Sequence, residues 1–304
     1  MKILVTGAAG FVASYLIAEL EKSGHQVVLS ATEKRKLVVG SKEYWTMPCD
    51  ITDAAQVQDL IQGTKPDGIV HLAAISHVAK AEKQRTLLSN INVVGTHNLC
   101  AACDKLPKVY FLYVSTALVY GGGDSPLACS EATALKPYGA YAQTKLAGEF
   151  VVSSFASETF RPYIVRPFNH IGPDQSPDFV CPSLAKRVIA CPPNGVIPVG
   201  NLAAQRDFTD VRDMVRAYTA IFDILPKTNL FVLGRGQTIS IRSVLDSFIA
   251  LSQKNIKVEI QNDLLRGGDD QIKYADAQLA YEILNWQPEI PMEKTLSDIY
   301  QSFH

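Results

Sequence analysis

What the chain lacks narrows its role first. No apolar run approaches the roughly 20 residues that a membrane span needs, so no membrane partner is expected. The opening residues, Met1-Lys2-Ile3-Leu4-Val5-Thr6-Gly7, lead straight into a strand and a glycine turn, which is not the layout of a secretory signal. Neither sign of charge is in excess. Lys and Arg number 29 against 30 Asp and Glu, a formal net of −1, so no global field draws the chain onto nucleic acid or an anionic surface. Internal repeats and low-complexity tracts are missing. The six cysteines are scattered, and Cys100 and Cys103, the one pair at CxxC spacing, have no second pair or clustered histidines to complete a metal site. No metal is expected, and the thiols read as ordinary reduced cysteines of a soluble cytoplasmic protein. With 47% hydrophobic and 19% charged residues in 304, the composition is that of one large globular domain or two small ones.

The N-terminus holds the first positive signal. Lys2 to Val5 has β character, Thr6-Gly7-Ala8-Ala9-Gly10 follows, and Phe11, Val12, Tyr15, Leu16 and Leu20 then recur at helical spacing up to Gly24. Strand, glycine turn and helix in that order suit a dinucleotide pyrophosphate, which the helix N-terminus and its free N–H groups receive. Gly7 and Gly10 let the backbone come close, and Ala13 takes the third small position. The second strand, near 26–29, ends in Ser30-Ala31-Thr32 without the acidic residue that holds a ribose 2′-hydroxyl. Ser30 leaves room there, and Lys34 or Arg35 can meet a 2′-phosphate, so NADP(H) is preferred and NAD(H) remains possible. A Lys-Arg pair on a solvated loop is the plainer alternative. Further strands near 68–74, 110–115 and 163–167 alternate with helices near 54–62 and 87–105, which predicts a doubly wound parallel sheet with ligands at the strand C-termini.

Tyr141 and Lys145 sit four residues apart, so on a helix both side chains reach one space. A cation near a phenol lowers its pKa and makes it an acid/base group. The spacing alone proves little; its companions give it weight. Thr6-Gly7-Ala8-Ala9-Gly10-Phe11, Cys49-Asp50-Ile51-Thr52-Asp53, His71-Leu72-Ala73-Ala74, Asn92-Val93-Val94-Gly95-Thr96, Ser115-Thr116-Ala117-Leu118-Val119-Tyr120-Gly121, Tyr141-Ala142-Gln143-Thr144-Lys145 and Arg166-Pro167-Phe168-Asn169 follow one another in order. In that order and spacing the chain resembles the extended short-chain dehydrogenase/reductase family, in its sugar-nucleotide branch, over nearly its whole length.

The resemblance implies roles. Thr116 would bind the substrate oxygen, Tyr141 would be the general acid/base, and Lys145 would hold the nicotinamide ribose. Asp50 and Ile51 would flank the adenine, and Leu72, Ala73 and Ala74 would pass under the phosphates. Phe11, Val12, Ser115 and Pro167 join the cofactor set, with Asn92 supporting the active-site helix. Dehydratases of the family carry an acid after the threonine. Here Ala117 and Leu118 stand there, so dehydration is disfavoured, leaving reduction, epimerisation or decarboxylation.

The stretch from Asn169 through Pro173 and Gln175 to Val180 resembles GDP-4-keto-6-deoxy-D-mannose reductases, which implies reduction of that nucleotide sugar to GDP-D-rhamnose. Asn169 offers amide donors to a diphosphate, Lys186 can reach the nucleotide phosphates, and Arg206 is the candidate diphosphate clamp. Arg266 lies in a turn resembling the family's phosphate-binding one, with Gly267 for its proline. His170 reads as structural. Residues 1–167 and about 208–235 are expected to build the cofactor lobe, and 168–207 with 236–304 a smaller α/β substrate lobe. The relatives imply a homodimer through two long helices. A sugar-nucleotide 4-epimerase, a ketoreductase for another sugar (such as a 6-deoxy-heptose) or another nucleotide, and a dinucleotide-sensing regulator without turnover stay open.

Overall fold

Strands that are apolar on both faces can be buried only inside a sheet covered by helices on each side. In the computed structural model, which describes residues 1–76, 82–121, 126–261 and 272–304, seven strands form such a sheet, with Met47–Pro48 at its exposed edge. From edge to edge they are Leu230–Leu233, Phe160–Pro167, Val109–Val114, Gly68–His71, Lys2–Thr6, Gln26–Ala31 and Met47–Pro48. Every adjacent pair is parallel, with Thr6 in register with Ser30 on one side and His71 on the other. The chain leaves Lys2–Thr6 toward one edge and returns at Gly68–His71 toward the other. That reversal opens a crevice above the strand ends, where ligands bind in such sheets.

Two apolar layers cover the sheet. Phe11–Lys22 and Val211–Ile224 bury Leu16, Leu20, Met214, Tyr218 and Phe222 on one face. Ala54–Thr64 and Thr96–Ala102 bury Val57, Ile61, Leu99 and Cys100 on the other. A third core lies apart from the sheet, where Leu184, Val188, Phe208, Leu245, Phe248 and Ile299 meet. Its helices are Val180–Ala190, Ile241–Ser252 and Met292–Gln301. Beside them runs a three-stranded sheet ordered Asn169–Ile171, Gln205–Asp210, Thr238–Ser240. The chain returns to the large sheet at Val211. None of the helices among the described residues is long and apolar enough to cross a membrane.

Local structure departs from the sequence expectation in three places. An antiparallel hairpin, Lys36–Val39 with Lys42–Trp45, precedes the edge strand and was not legible as one. The strand at Gly68 ends at His71 instead of Ala74, because Leu72 to Ala74 turn out toward the crevice. The expected helix near 87–105 is wound as a π turn at Asn90–Gly95, between Arg85–Ser89 and Thr96–Ala102. Such wider turns tend to occur where a helix must aim a side chain. Here Asn92 is turned inward, and Gly95 packs so close to Ile51 that a Cβ would lie 2.6 Å from its Cδ1.

Three buried aspartates tie distant segments of the chain together. Asp207 accepts from the backbone N–H groups of Arg235 (3.0 Å), Gly236 (3.0 Å) and Ala275 (2.9 Å). Asp210 caps the Val211–Ile224 helix through Arg212 N–H at 2.8 Å and receives the Thr295 hydroxyl at 2.7 Å. Asp213 accepts from the N–H groups of Glu289 and Ile290, and its carbonyl from the Trp286 indole. Replacing Asp207 by Ala would strand three donors, the buried Ala275 N–H and the half-buried N–H groups of Arg235 and Gly236. We expect Asp207→Ala to lose roughly 3–5 kcal/mol of stability in urea unfolding followed by circular dichroism; a loss under about 1 kcal/mol would show that the brace is dispensable.

Candidate active site

One cavity of about 1560 Å³ opens over the strand ends. It exceeds the few hundred to about 1,000 Å³ of a single small-ligand site, so it has room for two ligands side by side. Its floor at one end is the glycine turn. Gly7 has φ +67°, and a Cβ on it would sit 2.7 Å from the Ala73 nitrogen, so the turn admits only glycine. The helix from Phe11 begins with no side-chain cap, its first turn facing the cavity. That uncapped N-terminus beside a Cβ-free turn fits a dinucleotide pyrophosphate.

Around this floor the cavity gathers most of the residues singled out in the sequence. Gly7, Gly10, Phe11 and Val12 line it beside Ser30, and Asp50 with Ile51 lie beyond. Leu72, Ala73 and Ala74 form the middle, and Ser115, Thr116, Tyr141, Lys145 and Pro167 the next stretch. Asn169 and Arg206 line the far part. Three others are not brought in. Arg35 is exposed at the base of the hairpin, its backbone N–H on the Thr46 hydroxyl at 2.9 Å, and it lies outside the lining. Lys186 is exposed because its helix buries Leu184, Ala185 and Val188 on the opposite face. Asn92 stands behind the wall. Arg266 lies outside the described residues.

Asn92 nonetheless reaches the site. Its Oδ1 accepts the Ile75 N–H at 3.0 Å, and its amide donates to Thr144 Oγ1 at 3.2 Å on the Ala140–Ser154 helix. The Thr96 hydroxyl donates to the Asn92 carbonyl at 2.8 Å. With that proton committed, His71 Nε2, 3.0 Å from Thr96 Oγ1, must be the donor, and His71 Nδ1 accepts from Thr6 Oγ1 at 2.8 Å. Burial holds His71 neutral, pulling it down to about 3, with the Lys145 charge adding to the effect. A continuous hydrogen-bonded path thus links the strand that carries the glycine turn to the helix that carries Tyr141.

That helix starts at Gly139, whose φ of +83° suits glycine, and Glu82 accepts the Ala140 N–H at 2.6 Å. Tyr141 and Thr116 are hydrogen-bonded to each other, and the Thr116 hydroxyl also accepts the Leu118 N–H at 3.3 Å. Burial pushes the Tyr141 phenol up to about 12, and the Thr116 hydrogen bond pulls weakly the other way. The expected lowering by Lys145 is therefore not found. Lys145 is only 3% exposed, its ammonium stands 4.3 Å from the Tyr113 ring centroid, and burial draws it down to about 7, with Glu149 opposing. A cation this desolvated is poorly placed to stabilise a phenolate, and burial of the phenol outweighs it. Gly148 lets Tyr113 slide beneath the helix; a Cβ there would fall 2.1 Å from its hydroxyl.

His170 stacks on Phe11 with centroids 6.4 Å apart, and burial pulls it down to about 4. Four participants were missed in the sequence. Lys136 and Lys273 line the cavity, and Lys273 is drawn below its usual value by burial and by Arg206. Lys273 comes near only because its strand, Lys273–Ala275, pairs with Leu127–Cys129, a contact with no local signature. Glu149 and Arg166 form a buried ion pair under the helix, at 2.7 Å. The signal for Glu149 was present: it lies one more turn along the face that carries Tyr141 and Lys145.

The chain is similar to known proteins over nearly its whole length. UDP-glucose 4-epimerase of Caenorhabditis elegans is 27% identical, covering 99% of this chain and 97% of its own. GDP-6-deoxy-D-mannose reductase of Pseudomonas aeruginosa is 29% identical over 98% of this chain and 95% of its own. The solved structure of RMD from Pseudomonas aeruginosa complexed with NADPH superposes with a TM-score of 0.84 at 27% identity, covering 99% of this chain and 98% of that one. Residues 4–299 match the GDP-mannose 4,6 dehydratase family, and the chain belongs to that family, within the extended short-chain dehydrogenases/reductases.

Proposed function

We propose that this sugar-nucleotide-modifying enzyme reduces a nucleotide-linked 4-keto-6-deoxy sugar, GDP-4-keto-6-deoxy-D-mannose, to GDP-D-rhamnose with NADPH. The observation that carries the reading is the chemistry lining the cavity at Thr116. Elimination of water from a hexose needs an acid/base group at the adjacent carbons. Among the described residues the one carboxylate in the lining is Asp50, which neighbours Cys49 and Ile51 far from Thr116. Ala117 and Leu118 occupy the turn after Thr116 and exchange no proton. Dehydration thus lacks its acid, although the family takes its name from it.

A phenol held near 12 keeps its proton, which suits an acid that must protonate an alkoxide. An epimerase must first take a proton from the sugar hydroxyl, and this ligand-free phenol is poorly set for that. Thr116 and Tyr141 would bind the carbonyl oxygen together, and Tyr141 would release its proton to that oxygen as charge develops on it. The cofactor, when bound over the glycine turn, supplies the hydride. Arg206, with Lys136 and Lys273 also in the cavity lining, would meet the substrate diphosphate. The preference for NADPH rests on Ser30-Ala31-Thr32, which present no carboxylate to repel a 2′-phosphate. A second copy of the chain is proposed to cover the exposed apolar residues of the two helical segments beside the site: Leu87, Val94 and Phe150, the last 65% exposed. We place the enzyme in the cytoplasm, with no nucleic acid or membrane partner.

Purified protein given NADPH and freshly made GDP-4-keto-6-deoxy-D-mannose is expected to consume NADPH steadily and yield the rhamnose. Tyr141→Phe should cut that rate by about 10²–10⁴. Interconversion of sugar isomers without net NADPH loss would assign the epimerase instead. Gly7→Ala is expected to raise the Kd for NADPH tenfold or more, about 1.4 kcal/mol, in a fluorescence titration; unchanged affinity would remove the cofactor from this turn. Light scattering on Phe150→Glu should give a monomer where the parent protein gives a dimer.

A further inference from the structure

The mechanism above uses Thr116, Tyr141 and Lys145, and leaves unexplained a buried carboxylate beneath them. Glu149 is 4% exposed, in the middle of the protein, and a buried carboxylate persists only when it is paired and hydrogen-bonded. Its partners come from two other chain segments. Arg166 grips it in a fork, with Nε at 3.1 and 3.2 Å from the two oxygens and Nη2 at 2.7 Å. The Ser115 hydroxyl donates to Oε1. Arg166 in turn donates to the Tyr120 hydroxyl at 3.3 Å.

Each partner adjoins a residue of the site. Ser115 precedes Thr116, Arg166 precedes Pro167, and Glu149 lies one helical turn beyond Lys145. We propose that Glu149 is a positioning residue of the active site. It ties the strand end that bears Thr116, the helix that bears Tyr141 and Lys145, and the strand that ends in Pro167 to a single point. It is also a negative charge one helical turn from Lys145.

The groups around Lys145 support the electrostatic half. From its own helix come Tyr141 and Glu149; from Val109–Val114 comes Tyr113; from Gly68–His71 comes His71; from Phe160–Pro167 comes Arg166, spent on Glu149. Burial keeps Tyr141 and Tyr113 protonated and His71 neutral, so none of the three brings a charge near pH 7. Arg166 brings a positive one. Glu149 is left as the group that favours a charged Lys145. Loss of its charge should therefore draw the lysine further down.

The proposal rests on the catalytic reading of Lys145, but its test needs no substrate. The full chain is prepared with ¹³Cε-labelled lysine, and the Lys145 resonance is assigned by its loss in Lys145→Met. In the ligand-free protein it is expected to titrate with a midpoint near 7. In Glu149→Gln the midpoint should fall by about one pH unit, and in Glu149→Asp, which keeps the charge, it should stay near the parent value. A folded Glu149→Gln protein with an unmoved midpoint would overturn the proposal and leave Glu149 a purely structural pair. Should that variant not fold, the double variant Glu149→Gln/Arg166→Met, which leaves no stranded charge, carries the test: its midpoint should fall as well, and an unmoved or raised one overturns the proposal equally. Failure of NADPH turnover with GDP-4-keto-6-deoxy-D-mannose would bear on the substrate and leave these titrations untouched.

Discussion

A carboxylate and a guanidinium locked together beneath a helix, both almost out of reach of water, set the terms for everything around them. Breaking one side of such a pair leaves a naked charge in a poor dielectric, a cost of roughly 3–5 kcal/mol. The Glu149–Arg166 pair therefore resists displacement, and with it the relative placement of the Ala140–Ser154 helix and the strand ends at Ser115 and Pro167. Thr116 and Tyr141 meet because those three segments are pinned below them. On the other side of the helix the path Thr6–His71–Thr96–Asn92–Thr144 performs the same task with neutral groups. A reacting centre held from both sides is pre-organised, which is where most of the electrostatic advantage of an enzyme resides.

Family membership and local chemistry pull apart in an informative way. The family is named for a dehydratase, yet the residues after Thr116 are Ala117 and Leu118, and the described lining offers no carboxylate beside them. Folds of this kind host several outcomes on one cofactor site, and the outcome lies in a few side chains. The phenol of Tyr141 carries the same lesson. Its proximity to a lysine suggests an acidified tyrosine, whereas burial raises it to about 12 and strips the lysine of much of its charge. Geometry alone does not give the direction of a pKa shift; the balance between desolvation and the charges that remain does.

Much of the site was legible because it is local. Gly7 and Gly10 follow a strand and open a helix, and Tyr141 and Lys145 share one helical face. Each depends on neighbours within a few residues, so spacing suffices. Arg35 and Lys186 fall outside the cavity lining for the complementary reason. Both lie near the right segments in sequence, but the Lys36–Trp45 hairpin and the buried face of the Val180–Ala190 helix turn them out to solvent. Lys273 was missed because it reaches the cavity through pairing with residues 127–129, almost 150 positions away.

By itself, then, the sequence determined the parallel sheet, the glycine turn, and the helical face that Tyr141 and Lys145 share. Periodicity and turn chemistry act over one strand or one helical turn and leave their mark in adjacent letters. Only the tertiary structure decided the protonation of Tyr141 and Lys145, the tautomer of His71, and the assembly of Glu149, Arg166 and Ser115 into one buried point. Those depend on how much water is excluded and on which distant groups replace it, and no run of consecutive residues encodes either.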